Sequence, residues 1–206
     1  MVKKLLSDAD AHAIENAVAR AESKSAAELV VAVVPRSHDY WQGRVALAVA
    51  WALAAGLAFL LFAPWHEPML AIGIELLVGL VAFAISGLRP LLRLLIPDRA
   101  AQQAVQARAY QLFAERGLHR TRARTALLIF VSELEHRVVL LGDQTLDAAL
   151  GQSGWNRYVE LLIERIRGGR ARDGILEVIE LLEPQLTFIA PLAEGDVNEL
   201  PNAPLR

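Results

Sequence analysis

The sequence predicts an α/β fold: a small mixed β-sheet packed between helices, with a two-helix transmembrane hairpin inserted between the first and second strands. Three observations carry that expectation. Two long apolar runs stand in the first half of the chain, three short β-branched runs lie outside them, and amphipathic helical patterns fill most of the rest. Of the 206 residues, 54% are hydrophobic and 21% are charged, so the apolar excess has to be concentrated, and it lies in residues 44–89.

The first element is a helix. Ser7 stands three residues before Asp10, the spacing of a reciprocal cap, and Ala11, Ile14, Ala17, Val18 and Ala21 then recur at the helical period up to about Ser23. The run "ELVVAVVP" follows, β-branched and unbroken until Pro35, which predicts a strand buried on both faces.

The insertion comes next. Residues 45–63 hold no charged side chain, and about 19 residues rising 1.5 Å each span roughly the 30 Å of bilayer hydrocarbon. Residues 69–88 form a second such run, and the "PWHEP" between them carries two prolines that break a continuous helix. Glu75 is the one ionisable residue in the second run. It costs insertion about 2.5 kcal/mol, which the surrounding Leu, Ile, Val and Phe residues outweigh at about 0.3–0.6 kcal/mol each. Two readings of Glu75 stay open: a proton or ion site, or a carboxyl that bonds the partner helix or a second protomer. Arg36 and Arg44 precede the pair and Arg89, Arg93 and Arg99 follow it, while the connecting segment offers His66 and Glu67. The excess of arginine outside the pair predicts both termini on the cytoplasmic side of a bacterial inner membrane, with Trp41 and Trp65 at interfacial depth. The N-terminus has no apolar core or cleavage site of a secretory signal, so targeting is assigned to the hairpin.

Beyond the insertion, Asp98 is placed as the cap of a helix with Ala101, Val105, Tyr110, Leu112 and Phe113 inside it and Gly117 at its end. "TALLIFVS" and "RVVLL" predict two strands joined as a hairpin by "ELEH". Trp155, Val159, Leu162 and Ile166 mark one helix, stopped by a double glycine, and Ile175, Val178, Ile179 and Leu182 mark another. The domain plan is therefore residues 1–43 and 90–190 as two parts of one α/β domain, 44–89 as the membrane hairpin, and 191–206 as an extended, poorly packed tail. Two spans return the chain to the side it left, which lets both halves build one sheet.

Several chemistries are excluded. The absence of cysteine removes disulfides, thiolate metal sites and a Cys nucleophile, and no nucleophile elbow, phosphate loop or HExxH is present. A net charge of −2 without aromatic-interleaved basic runs argues against nucleic acid as a partner. His12, His38, His66, His119 and His136 stand singly, without metal-ligand spacing. Asp143 and Asp147, four apart after a strand, read either as oxygen ligands for Ca²⁺ or Mg²⁺ or, for Asp143, as a helix cap. "HRTRAR" offers Arg120, Arg122 and Arg124 either to phosphate or anionic headgroups, at about 1 kcal/mol per cation, or to solvent.

The run "FAERGLHRTRARTALLIFVSELEHRVVLLGD", then "GWNRYVELLIERIRGGRARDGILEVIELL" and the closing "GDVNELPN", resembles the TPM domain family, and within it the bacterial membrane branch with a hydrophobic insertion and an Asn-Glu-Leu-Pro tail. The resemblance covers both halves outside the hairpin. It implies a mixed sheet between helices, and for some members Ca²⁺ binding or weak acid phosphatase activity. Asp143 takes the family's acidic position after the second strand of the hairpin, and Asp173 with Gly174 its turn before the last helix, which adds Asp173 to the metal candidates. The sequence departs from the family in "DQTLDAAL" after that strand and in offering only Asp39 after the first strand. The expected function is a membrane-anchored, non-enzymatic interaction or assembly module on the cytoplasmic face, working on a membrane-protein partner or a second copy of itself. The alternatives are a divalent-metal-dependent acid phosphatase and an oligomeric proton or ion pathway through Glu75.

Overall fold

A computed structural model describes residues 5–63, 67–121, 124–192 and 200–205. The chain divides into two units, one formed by Met1–Ser37 with Gln102–Arg206 and the other by His38–Ala101. The second unit is wider than residues 44–89 because α2 begins at Trp41 and a short helix follows the hairpin.

The first unit begins with α1 (Asp8–Glu22), capped as its sequence predicts: Asp10 N–H donates to Ser7 Oγ at 3.2 Å and Ser7 N–H to Asp10 Oδ2 at 2.9 Å. The Ser7 hydroxyl, donating to Asp10 Oδ2 at 2.7 Å, and then the Ser7 N–H hold the Asp10 carboxyl below the usual carboxylate range. Strand β1 (Leu29–Val34) pairs in parallel with β2 (Leu127–Ser132), from Leu29 opposite Leu127 to Val34 opposite Ser132. Strand β3 (Arg137–Gly142) returns antiparallel along β2 through the tight turn 133–136, giving the order β1-β2-β3. Helices α5 (Asp98–Glu115), α6 (Gln144–Arg167) and α7 (Ala171–Ile189) complete the layers. Asp98 is the first residue of α5 itself.

The period of two along each strand sorts side chains between two cores. Leu29, Val31 and Val33 with Leu127, Ile129 and Val131 pack under α1, α6 and α7, against Ile14, Val18, Leu162, Ile175 and Ile179. Val30, Ala32, Leu128 and Phe130 point the other way, onto Val105, Ala109 and Leu112 of α5 and onto Leu118. This explains why β1 reads as an uninterrupted apolar run: neither face meets water. Tyr110, assigned to the interior of α5, is 62% exposed, because Val105, Ala109 and Leu112 supply the buried stripe.

Two further departures are local. Helix α6 starts eleven residues before Trp155, the first residue that marks it in the sequence, as two helical segments that meet in a kink at Gly151, whose φ of 64° an L side chain adopts at a cost. The tail does not run free: Val33 N–H donates to Leu205 O at 2.8 Å and Leu205 N–H to Val31 O at 2.9 Å, so residue 205 closes the outer edge of β1. "GDVNELPN" lies only partly within the described residues, which resume at Leu200.

The second unit holds α2 (Trp41–Phe62), α3 (Pro68–Ser86) and α4 (Arg89–Leu95). Both α2 and α3 are long and apolar enough to cross a bilayer. Ala48 is the buried residue of α2 and Ser86 that of α3, while Leu53, Leu57, Leu60, Leu76, Leu77 and Leu80 face outward. The two helices pack on small residues: a Cβ on Gly79 would stand 3.3 Å from Ala52 Cβ. At one end of the pair, Arg44 lies 4.3 Å over the Phe83 ring and donates to Phe83 O at 3.1 Å. Trp65 and His66 fall outside the described residues.

Candidate functional site

Parallel pairing brings the residues leaving β1 beside the turn that follows β2, and a polar cluster forms there. Glu133 N–H donates to Val34 O at 2.9 Å and Leu134 N–H to Pro35 O at 3.1 Å, which carries the strand contact one step past the sheet. Glu135, 8% exposed, accepts from Ser37 N–H at 3.0 Å and from the Ser132 hydroxyl, while the Ser37 hydroxyl donates to Ser132 Oγ at 2.8 Å. Glu133 Oε1 accepts from Leu5 N–H at 3.0 Å. The carboxylates act as clamps: they gather donors from three segments and fix the point where the chain departs for the insertion. These two glutamates were read only as turn residues, since nothing local shows that Ser37 meets a residue 98 positions later.

Of the three aspartates proposed as metal ligands, Asp143 and Asp147 stand one turn apart at the start of α6, Asp147 N–H donating to Asp143 O at 3.0 Å, and Asp173 belongs to α7. Asp143 is the N-cap of α6, its Oδ1 accepting from Gln144 N–H at 2.7 Å, with Oδ2 buried and unbonded. Asp147 Oδ1 accepts from Trp155 Nε1–H at 2.8 Å, and the indole lies where a Cβ on Gly142 would meet it at 2.7 Å. Asp173, in the first turn of α7, stands 3.8 Å from Arg172 Nη1. Among the described residues no group of three or more His, Asp or Glu side chains could hold a metal ion. Calcium takes six to eight oxygens; here Asp143 Oδ2 is buried and unbonded, and Asp147 Oδ1 is taken by the Trp155 indole.

The basic run is divided. Arg120 closes a single turn of 3-10 helix (Leu118–Arg120), exposed, with its Nε–H donating to His119 Nε2 at 3.2 Å. Arg124 is exposed with φ at 51°, and Arg122 lies outside the described residues.

A cleft of about 420 Å³ runs along the outer edge of β3, between α5 and α6. Its lining includes Gln106, Tyr110, Arg137, Gln152, Trp155 and Asn156, and it was not anticipated because it draws on three distant segments. In the second unit Glu75 faces α2 at Gly56, where an added Cβ would collide with its Oε1. The carboxyl fills the notch that glycine leaves.

At the start of β1, the Glu22 carboxyl is pushed up to about 7, first by burial and then by the nearby Glu28, against the opposing bonds from Leu29 N–H at 3.0 Å and from the Asn202 side chain.

Comparison with known proteins agrees with the resemblance. Residues 92–185 match the family model of the TPM domain. The solved NMR structure of the BA42 protein from the psychrophilic bacterium Bizionia argentinensis is similar in fold, with a TM-score of 0.62 and 16% identity, over 100% of this chain and 97% of that one. No curated protein matches the sequence.

Proposed function

We propose, from the premise that residues 92–185 form a TPM domain, that the chain is a membrane-anchored interaction or assembly module whose α/β unit works on the cytoplasmic face of a bacterial inner membrane. The observation that carries the reading is the place of the hairpin. Parallel strands cannot be joined by a tight turn, and the crossover from β1 to β2 holds both apolar helices. Exposed leucine along α2 and α3 is costly in water, at about 25 cal/mol per Å², and costs nothing in hydrocarbon. A hairpin that enters and leaves on one side allows β1 and β2 to meet, and the flanking arginines favour the cytoplasm as that side. The clamped carboxylates around Ser37, with Asp143 engaged as a cap and Asp147 by the Trp155 indole, favour a binding role over hydrolysis.

Membrane fractions and single cysteines test this. The chain should resist alkaline carbonate extraction. On spheroplasts, an impermeant maleimide should label His66→Cys directly and Glu180→Cys only after permeabilisation. Extraction by carbonate, or labelling of Glu180→Cys from outside, overturns the reading. Hydrolysis of a phosphomonoester that Asp143→Asn abolishes in a folded protein would replace it with the phosphatase.

A further inference from the structure

The α2–α3 pair carries a groove of about 480 Å³, lined by Leu53, Gly56, Leu60, Ala71, Glu67 and Glu75 among others. Its chemistry is one-sided. The two glutamates bring acceptors, and the apolar side chains around them bring no donor. Among the described residues Glu75 makes no hydrogen bond and no ion pair. Its contact across the pair is Gly56, whose own backbone N–H lies inside α2 and is spent on the helix. The hairpin thus creates room for the carboxyl without satisfying it. Glu75 is the eighth residue of α3, about 10 Å from the start of that helix at 1.5 Å per residue, which is well inside an apolar span.

From the acidic groove and its lack of donors we infer that it docks a transmembrane helix of another protein, one that carries a lysine or arginine at the depth of Glu75. The inference rests on the membrane reading above and adds the chemistry of the partner. A carboxyl in hydrocarbon is satisfied by a cation or a strong donor. This chain supplies neither at that level. Its intrahelical arginine, Arg44, is engaged with Phe83, eight residues or about 12 Å further along α3. A second copy inserted in the same orientation would present another Glu75 at the same depth, which brings no cation to the groove and repels the first when both are ionised. A basic partner helix is the complement, because it meets Glu75 with opposite charge and slides into a groove floored by Gly56 and Ala71.

The test uses the full chain in lipid vesicles. The protein lacks cysteine, so Glu180→Cys carries a single donor dye. The probe is an acceptor-labelled Leu/Ala transmembrane peptide of about 21 residues with one central Lys, compared with the same peptide bearing Leu there. Energy transfer should show the Lys peptide binding about tenfold more tightly, and the preference should vanish in Glu75→Leu while Glu75→Gln keeps part of it. Equal binding of both peptides to a carbonate-resistant chain overturns the inference and leaves the membrane reading standing. Energy transfer between two labelled copies that Glu75→Leu abolishes, without a Lys preference, also overturns it and makes the occupant a second copy. Extraction of the chain by carbonate removes both.

Discussion

Phe130 in β2 is 0% exposed and Phe62 at the end of α2 is 83% exposed, and the two define how this chain uses its hydrophobic residues. In the α/β unit the apolar side chains interdigitate in two layers on either side of a three-stranded sheet. In the hairpin they point away from each other, and the helices meet through Gly56, Gly79, Ala48 and Ala52 instead. The difference teaches that composition alone does not say where a core is. Period two with helical partners builds one, whereas unbroken apolarity around a whole helix leaves surface for a second solvent.

The largest expected effect tests that contrast directly. Phe130→Ala should cost the α/β unit about 3–5 kcal/mol in denaturant unfolding, whereas Phe62→Ala should leave the same transition within about 0.5 kcal/mol. Equal losses would mean that the hairpin is packed as a core and would end the comparison.

The next effect concerns a charge rather than a volume. Because folding raises the Glu22 pKa from 4.5 to about 7, the folded state binds a proton the unfolded chain has already released. The Glu22 contribution to stability is therefore greatest below about pH 4.5, falls as pH rises towards 7, and is level above it. Glu22→Gln keeps an acceptor for Leu29 N–H and should remove that slope, leaving the variant more stable than the parent at pH 8 by on the order of 1 kcal/mol, since the carboxyl keeps part of its water. A pH profile of the melting temperature unchanged by Glu22→Gln would contradict this account.

The smallest effect separates a packing role from a metal role. Asp147→Ala frees the Trp155 indole N–H and should cost about 1 kcal/mol with a shift in Trp fluorescence. A rise in melting temperature on adding Ca²⁺ or Mg²⁺ that this variant, or Asp143→Asn, abolishes would favour the metal role instead.

Much of the fold was legible because its signals are local. The cap of α1 lies in four residues, β1 announces two buried faces by its unbroken Leu-Val-Val-Ala-Val-Val, and the hairpin is plain from length and charge. What escaped depends on distant parts of the chain. Glu135 matters because Ser37 and Ser132 arrive together only once β1 and β2 are parallel neighbours. Leu205 has no periodicity around it to predict that it would pair with β1. Tyr110 satisfied the helical pattern, but small Ala109 beside it took the buried position and let α5 approach the sheet. The segment before Trp155 carried no helical marker, and it joins the marked helix only through a kink at Gly151, whose φ is 64°.

The pairing of Leu29 with Leu127, 98 residues apart, also sets a timetable. At a ribosomal pace of about 5–20 residues per second, β1 is outside the tunnel for about 5–20 s before its partner follows it out. During that wait its six apolar residues have no sheet to join, while both helices of the hairpin have been made and can partition. On the proposed membrane reading, insertion would then precede the nucleation of the sheet, and any delay in insertion would lengthen the life of an unpaired, aggregation-prone strand.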